Sequence, residues 1–312
     1  MSNDFDKTGQ FFGEKDREPE IPEFIIERDE DDSAILPSGT SSPANKRKRW
    51  LLRILKGLAV ALIVALTLMA FKLWDYYYNI GVPVSTSPKE NINKLKMPAM
   101  REKAGVVVTS DSILGVDLVF HAIHGLRASI EFEEPDTADT SVFLYCRSAD
   151  YSSDSTHLGS LVVEGKEIRS DRSRLGYMAM VGNQMVIGIS RHETVKDYVK
   201  ENEGSFFRQF VLVSAGEIPH RFFLHGKVER RAIGRLGDTL YYIATQNKET
   251  LWDFADALRE YGFIDAIYIT GGTDYCFYRT ADGQRHDIGD INDYPHDKWK
   301  GVIPWLVFRK MK

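Results

Sequence analysis

Arg230-Arg231-Ala232-Ile233-Gly234-Arg235-Leu236-Gly237-Asp238-Thr239-Leu240-Tyr241-Tyr242-Ile243-Ala244-Thr245 is the stretch that decides the fold. Two β-rich runs, Val228–Leu236 and Thr239–Thr245, flank Gly237-Asp238, the reverse of the commonest hairpin order yet still a tight-turn pair. Downstream, Asn247 stands as a cap before a helix whose Leu251, Phe254, Ala255 and Leu258 share a face at i, i+3, i+4 and i+7, and Gly262 stops it. A buried-looking strand follows, Ala266-Ile267-Tyr268-Ile269, broken by Gly271-Gly272. Tyr275–Arg279 leads into an Ala281–Gln284 turn, and Val302–Phe308 reads as a closing strand whose Pro304 points to a sheet edge. Hairpin, helix, strand, glycine turn and strand together predict an α+β (mixed α/β) domain with a mixed sheet and packed helices.

Upstream of the hairpin, Val106–Thr109, Ser129–Phe132, Val142–Tyr145, Leu161–Val163 and Met185–Ile189 are short apolar or β-branched runs bounded by Gly, Asp or Ser. A short helix is expected after Thr194, with Asp197 three residues on and Val195, Tyr198 and Val199 on one face before Gly204. The domain is expected to start near Gly105 and to run to the C-terminus, 105–312, enough for one single-core unit. Residues 79–104, with Pro83, Pro88 and Pro98 among Lys, Ser and Asn, read as a stalk linker.

Charge is segregated along the 312 residues. Residues 1–45 carry 12 Asp/Glu against 4 Lys/Arg with little periodic apolar pattern, which predicts a disordered acidic tail; Ile21–Ile26 within it is a docking segment or simply part of a solvating tail. Residues 46–78 hold a basic block, Lys46-Arg47-Lys48-Arg49, and an uncharged run from Gly57 to Phe71. With Leu51, Leu52, Ile54 and Leu55 that run makes a helix able to cross roughly 30 Å of hydrocarbon at about 1.5 Å per residue. Trp50 at one end and Trp74, Tyr76, Tyr77 and Tyr78 at the other suit the interfaces. The basic block predicts a single-pass protein of the inner (cytoplasmic) membrane with its N-terminus in the cytoplasm and its C-terminal domain periplasmic or extracellular. A cleaved signal peptide would need a short leader and a small-residue cleavage site, and Phe71-Lys72-Leu73-Trp74 follows the apolar run instead. Residues 75–312 are mildly acidic, which argues against a nucleic-acid partner and leaves the lipid bilayer as the partner of the span. The absence of an Asn-x-Ser/Thr sequon leans toward a bacterial envelope.

Two motifs bear chemistry. Gly271-Gly272 ends a core strand, where a chain reversal turns backbone N–H groups toward an anion, although a plain turn needs glycines too. Arg230 and Arg231 are adjacent in a strand, so their side chains point to opposite faces and one alone can face a cleft. An arginine there suits a phosphate, its fork of donors making paired charge-assisted hydrogen bonds; the alternative is an edge arginine in solvent.

Together these motifs carry a resemblance. Asn202 to Tyr278 resembles the phosphodiester glycosidase family. Arg230-Arg231-Ala232-Ile233-Gly234 is similar to that family's Arg-Thr-Ala-Ile-Gly strand, and Ala266–Gly272 to its Ala-x-x-Leu-Asp-Gly-Gly strand and turn. Glu203–Phe207, followed by Gly216-Glu217, resembles its Asn-Gly-Gly-x-Phe element and the Gly-Glu hairpin after it. The resemblance implies a hydrolase of sugar 1-phosphodiesters that takes a carbohydrate or phosphorylated glycan and uses no cofactor or metal. It implies that Arg230 binds the phosphodiester and that Gly271 and Gly272 form the substrate-facing turn; Thr273, Arg231 and Arg208 are further candidates for substrate binding. The leaving phosphate is already anionic, so a fixed cation and a carboxylate to help water attack are the main needs. Thr270 stands where the family has its acid, so either Asp274 supplies the carboxylate or the chain is an inactive relative that binds a phosphorylated glycan or an envelope partner.

Other residues point elsewhere with less force. His121 and His124 have a helical metal spacing but no matching carboxylate or thiolate ligands nearby. Cys146 and Cys276 fall beyond the span, where a disulfide is permitted, yet both lie in apolar strands as buried free thiols often do. His286-Asp287 and Asp293–Asp297 gather titratable groups in a stretch that reads as a solvated loop or as part of a site.

Overall fold

The computed structural model describes the chain apart from residues 1–42, 81–85, 99–101, 152–155, 173, 220–221, 223–224, 273, 290–301, 303 and 312, and apart from the side chains of 43–46 and 72–80. The expected acidic tail, its Ile21–Ile26 segment, the Trp74–Tyr78 side chains and the Asp293–Asp297 cluster therefore lie outside the described residues. The chain divides into two units, Met1–Ile63 and Val64–Lys312.

Helix α1 (Pro43–Ile80) contains a stretch, Arg47–Phe71, of 25 residues with a mean hydropathy of 2.4 and no buried side chain. It is long and apolar enough to span a membrane. By length and composition it is a candidate single-pass span.

The remaining elements belong to the α+β class. Their ladders are antiparallel and form three sheets among the described residues, in place of the single mixed sheet expected. The first sheet runs in the order β1 (Gly105–Ile113), β2 (Val116–His124), β12 (Thr239–Thr245), β11 (Arg230–Leu236), β13 (Asp265–Gly271) and β10 (Val211–Val213). The second is β15 (Arg285–Ile288), β14 (Cys276–Arg279), β4 (Val142–Arg147), β16 (Trp305–Lys310) and β3 (Leu126–Glu131). The third is β6 (Lys166–Arg169), β5 (Leu161–Val163), β9 (Ser205–Gln209), β7 (Gly176–Val181) and β8 (Gln184–Ile189).

One core joins the three sheets: Ile233 and Ile267 from the first, Leu144 and Phe308 from the second, Met178 and Phe207 from the third. Helix α4 (Leu251–Tyr261) covers the other face of the first sheet, setting Phe254 and Leu258 against Ala232 and Tyr268. Each such fully buried side chain is worth roughly 1.5–3 kcal/mol. Helix α3 (Thr194–Glu201) lies on the outer face of the third sheet, with Val195 and Val199 against Tyr177 and Phe206.

Several boundaries differ from the sequence reading, each for a local reason. Helix α4 is capped by Thr250, whose Oγ1 accepts the Asp253 N–H at 3.0 Å, while Asn247 donates instead to Asp117 Oδ2 at 2.9 Å. Gly262 ends the helix in the left-handed conformation at φ 103°, as its composition required. Strand β16 is interior, between β4 and β3, because it begins after Pro304: the proline lies outside the ladder and its carbonyl accepts the Ser148 N–H at 3.3 Å. The stretch read as a stalk holds a further helix, α2 (Pro88–Leu95), which buries Leu95 against the third sheet and donates from Asn91 Nδ2 to Tyr177 Oη at 2.7 Å. Folded structure thus reaches back beyond Gly105.

Candidate functional site

The hairpin and the glycine turn meet the second sheet at a cleft of about 470 Å³. Its walls are His121 from β2, Glu229 and Arg231 at the start of β11, Thr245 and Gln246 at the end of β12, Asp274 and Tyr278 around β14, and Gly289 after β15. Strand alternation sends neighbouring side chains of β11 to opposite faces. Arg231 turns toward the cleft and Arg230 toward the face covered by α4.

Arg231 is only 5% exposed; its Nη1 donates to Gly272 O at 2.6 Å, which fixes the guanidinium against the glycine turn. Asp274, 1% exposed, accepts the Tyr275 N–H through Oδ1 at 2.8 Å and offers its carbonyl to Arg231 Nη2 at 3.5 Å. A fixed cation and a carboxylate therefore line one wall region of the same cleft. Gly289, at φ 79°, lets the chain pass the Asp274 carbonyl, which a Cβ at this position would strike.

Arg230 sits in a different environment. Its Nε donates to Glu249 O at 3.0 Å, Nη1 to Tyr268 Oη at 3.2 Å and Nη2 to Gly226 O at 2.6 Å, and it is not among the residues lining the cleft. This guanidinium ties β11 to the segments on either side of the hairpin. Arg208, in β9 of the third sheet, is likewise a stitch: Nη1 donates to the Ser190 carbonyl at 2.6 Å and Nη2 to Glu193 Oε1 at 3.1 Å. It too lies away from the cleft lining.

Gly271 and Gly272 form a turn, as the plain-turn alternative has it, and neither is among the residues lining the cleft. Strand β13 ends at Gly271, where a Cβ would run into the Tyr268 hydroxyl, and Gly272 adopts φ 80° while donating its N–H to Glu229 O at 2.9 Å. Thr270 is buried and its side chain hydrogen-bonds the carboxyl of Asp150, which also interacts with the Gly271 backbone. Burial pushes the Asp150 carboxyl up to about 6, against the pull of those hydrogen bonds and of Arg174, and with a further rise from Asp274. Thr273 lies outside the described residues.

Asp150 carries no motif, and its partner Thr270 is far away in sequence, so only the fold brings the two together. His121 and His124 lie on strand β2, not on a helix, so a spacing of three places them on opposite faces. His124 faces Glu102 at 3.4 Å, partly exposed, whereas His121 is fully buried and hydrogen-bonds the Tyr242 carbonyl through Nδ1 at 3.3 Å. Cys146 and Cys276 are direct register partners across β4 and β14, fully buried free thiols that burial holds un-ionised.

No protein-family model and no curated protein matches the chain. Among solved structures, it is similar to the catalytic domain of zebrafish N-acetylglucosamine-1-phosphodiester alpha-N-acetylglucosaminidase, auto-inhibited by its pro-peptide, at 14% identity and a TM-score of 0.47 over 69% of this chain and 85% of that one. A hypothetical protein from Synechocystis is similar at 10% identity and a TM-score of 0.48, over 66% of this chain and 62% of that one. These are distant structural relationships.

Proposed function

We propose that this chain is a membrane-anchored hydrolase of the phosphodiester glycosidase type, acting on a sugar joined through its anomeric carbon to a phosphate. The observation that carries the reading is the pairing of Arg231 and Asp274 in one cleft against the glycine turn. Arg231 takes the role that the family resemblance assigned to Arg230: it holds the phosphate, and charge that develops on the departing oxygen falls on a cation already fixed in place. Asp274 takes the proton of the attacking water, the bond between the anomeric carbon and the phosphate oxygen breaks, and the phosphate monoester leaves with the electron pair. The basic block before the span supports a cytoplasmic N-terminus and a catalytic domain on the outer, periplasmic side.

The Thr270 hydroxyl, standing where the resembled motif has an acid, favours a second reading: a non-hydrolytic relative that binds a phosphorylated glycan. One experiment separates the two. Full-length protein in detergent is incubated with sugar 1-phosphates, nucleotide sugars and sugar phosphodiesters, and free reducing sugar is measured, with Arg231→Ala and Asp274→Asn alongside. Turnover lost in both variants supports the hydrolase; binding that depends on Arg231 without turnover in the wild type supports the second reading.

A further inference from the structure

We propose that His121 is a specificity-determining acceptor in the cleft, its Nε2 receiving a hydrogen bond from a hydroxyl of the ligand whose phosphate Arg231 holds. The inference rests on the phosphate reading of Arg231 and adds what the rest of the ligand must carry. A backbone carbonyl can only accept, so the contact between His121 Nδ1 and Tyr242 O at 3.3 Å places the proton on Nδ1. Desolvation by burial pushes this imidazole down to about 4, so near neutral pH it holds that single proton. Nε2 then carries a bare lone pair, and it is buried with no hydrogen-bond partner among the described residues.

Buried polar atoms in folded proteins are nearly always satisfied, and this orphan acceptor belongs to a residue that lines the cleft, so a donor brought by the ligand is what would satisfy it. The ring cannot swing away to find one elsewhere. Tyr242 and Tyr278 grip it edge-on, with ring centroids 5.2 and 4.7 Å away, and Tyr278 lines the same cleft. Arg231 in that cleft donates and does not accept. A ligand satisfying both walls therefore presents an anion to Arg231 and a separate hydroxyl donor to His121, as a sugar phosphate does with hydroxyls on carbons away from the phosphorus, whereas inorganic phosphate carries its O–H only on the anion itself.

The test uses full-length protein in detergent micelles, with 15N-labelled histidine and His121→Phe to assign the signal. Glucose 1-phosphate, inorganic phosphate and methyl glucoside are the probes, read by imidazole nitrogen shifts and by calorimetry. In the free protein Nδ1 should be protonated and Nε2 bare. Glucose 1-phosphate should move the Nε2 signal, while inorganic phosphate leaves it in place. His121→Phe, which keeps a ring between the two tyrosines, should weaken glucose 1-phosphate roughly five- to tenfold and change inorganic phosphate by less than about twofold. A protonated Nε2 in the free protein overturns the proposal, and that result needs no variant. Equal losses for both phosphates in a folded His121→Phe, or an Nε2 signal that none of the three probes moves, overturn it too. If neither phosphate binds but methyl glucoside moves Nε2, the Arg231 reading fails and the role of His121 as a hydroxyl acceptor stands.

Discussion

Arg230 and Arg231 are adjacent on one strand and equally buried, each 5% exposed, yet the two faces of the sheet treat them differently. On the α4 side, Arg230 spends its guanidinium on Glu249 O, Tyr268 Oη and Gly226 O. On the other side Arg231 is anchored to Gly272 and lines a cleft with Asp274 and His121. Burial and charge alone therefore do not tell the two apart. What each guanidinium faces does: two backbone carbonyls and a tyrosine hydroxyl away from the cleft in one case, a cleft wall in the other.

The most forceful way to break this contrast is to remove each arginine in turn. On the proposed reading Arg231→Ala should lower turnover about a hundredfold or more, the usual scale for deleting a group aimed at developing charge, on top of the stability lost with its hydrogen bonds to the Gly272 and Asp274 carbonyls. Arg230→Ala should act on stability alone, costing roughly 1–3 kcal/mol by removing three hydrogen bonds from a buried guanidinium while kcat per folded molecule stays near that of the wild type. Denaturant unfolding and initial rates on the same preparations decide it. Equal effects of the two variants on both readouts would erase the distinction between the faces.

The glycine turn gives the next largest effect, because it touches both arginines' surroundings. A methyl at Gly271 meets the Tyr268 hydroxyl, so Gly271→Ala should cost roughly 1–3 kcal/mol and disturb the Arg230 contact with that hydroxyl. At Gly272 nothing among the described residues lies near an added Cβ, and the φ of 80° resists it, so Gly272→Ala should cost about 1 kcal/mol. A larger loss at Gly272 would mean that the turn is held by its backbone angle more than by packing.

Titration separates the cleft histidine from the carboxyl beside the turn. Asp150, raised by burial from 3.8 to about 6, binds its proton more tightly in the folded chain; its contribution to stability is full below the lower value and is lost as pH rises to the higher. His121, lowered from 6.5 to about 4, stays neutral where the unfolded chain would charge, so stability falls as pH drops through that window. Melting temperatures measured from pH 4 to 7 should show Asp150→Asn gaining on the wild type as pH rises to 6, and His121→Phe gaining as pH falls from 6.5. His157, lowered to about 4 in the same way, leaves a residual acid slope in both.

What could be read beforehand follows the range of the interactions involved. The hairpin, helix α4 and the strand ending in Gly271 were legible because turn residues and apolar spacing are local signals. Strand β2 was not: its Val-Asp-Leu-Val-Phe-His-Ala-Ile-His run is buried on both faces near its end, so no period-2 alternation marks it, and its two histidines read as a helical pair. Alternation predicted that Arg230 and Arg231 diverge, but which one meets a cleft depends on where α4 docks. Asp150 was invisible because only the chain's path sets it beside Thr270. Pro304 shows a sound local rule displaced by one residue: proline stays out of the ladder, here by preceding the strand instead of lying at an edge.

The smallest effect probes whether the α4 face can be loosened without disturbing the cleft. Thr250 caps α4 through the Asp253 N–H and also donates from Oγ1 to Asp253 Oδ2 at 2.7 Å, so Thr250→Ala should cost about 1 kcal/mol. Asn247, which donates to the half-buried Asp117 near the surface, should cost less than about 0.5 kcal/mol when replaced by alanine. Helix α4 packs on Ala232 and Tyr268, and none of its residues lines the cleft, so Thr250→Ala should leave KM unchanged. Asn247 follows directly on Gln246, a cleft residue, so of the two substitutions only Asn247→Ala can move KM through the local backbone. A shift in KM from Thr250→Ala would mean that the two faces communicate through β11 itself, and that the division of labour between the paired arginines is one of degree.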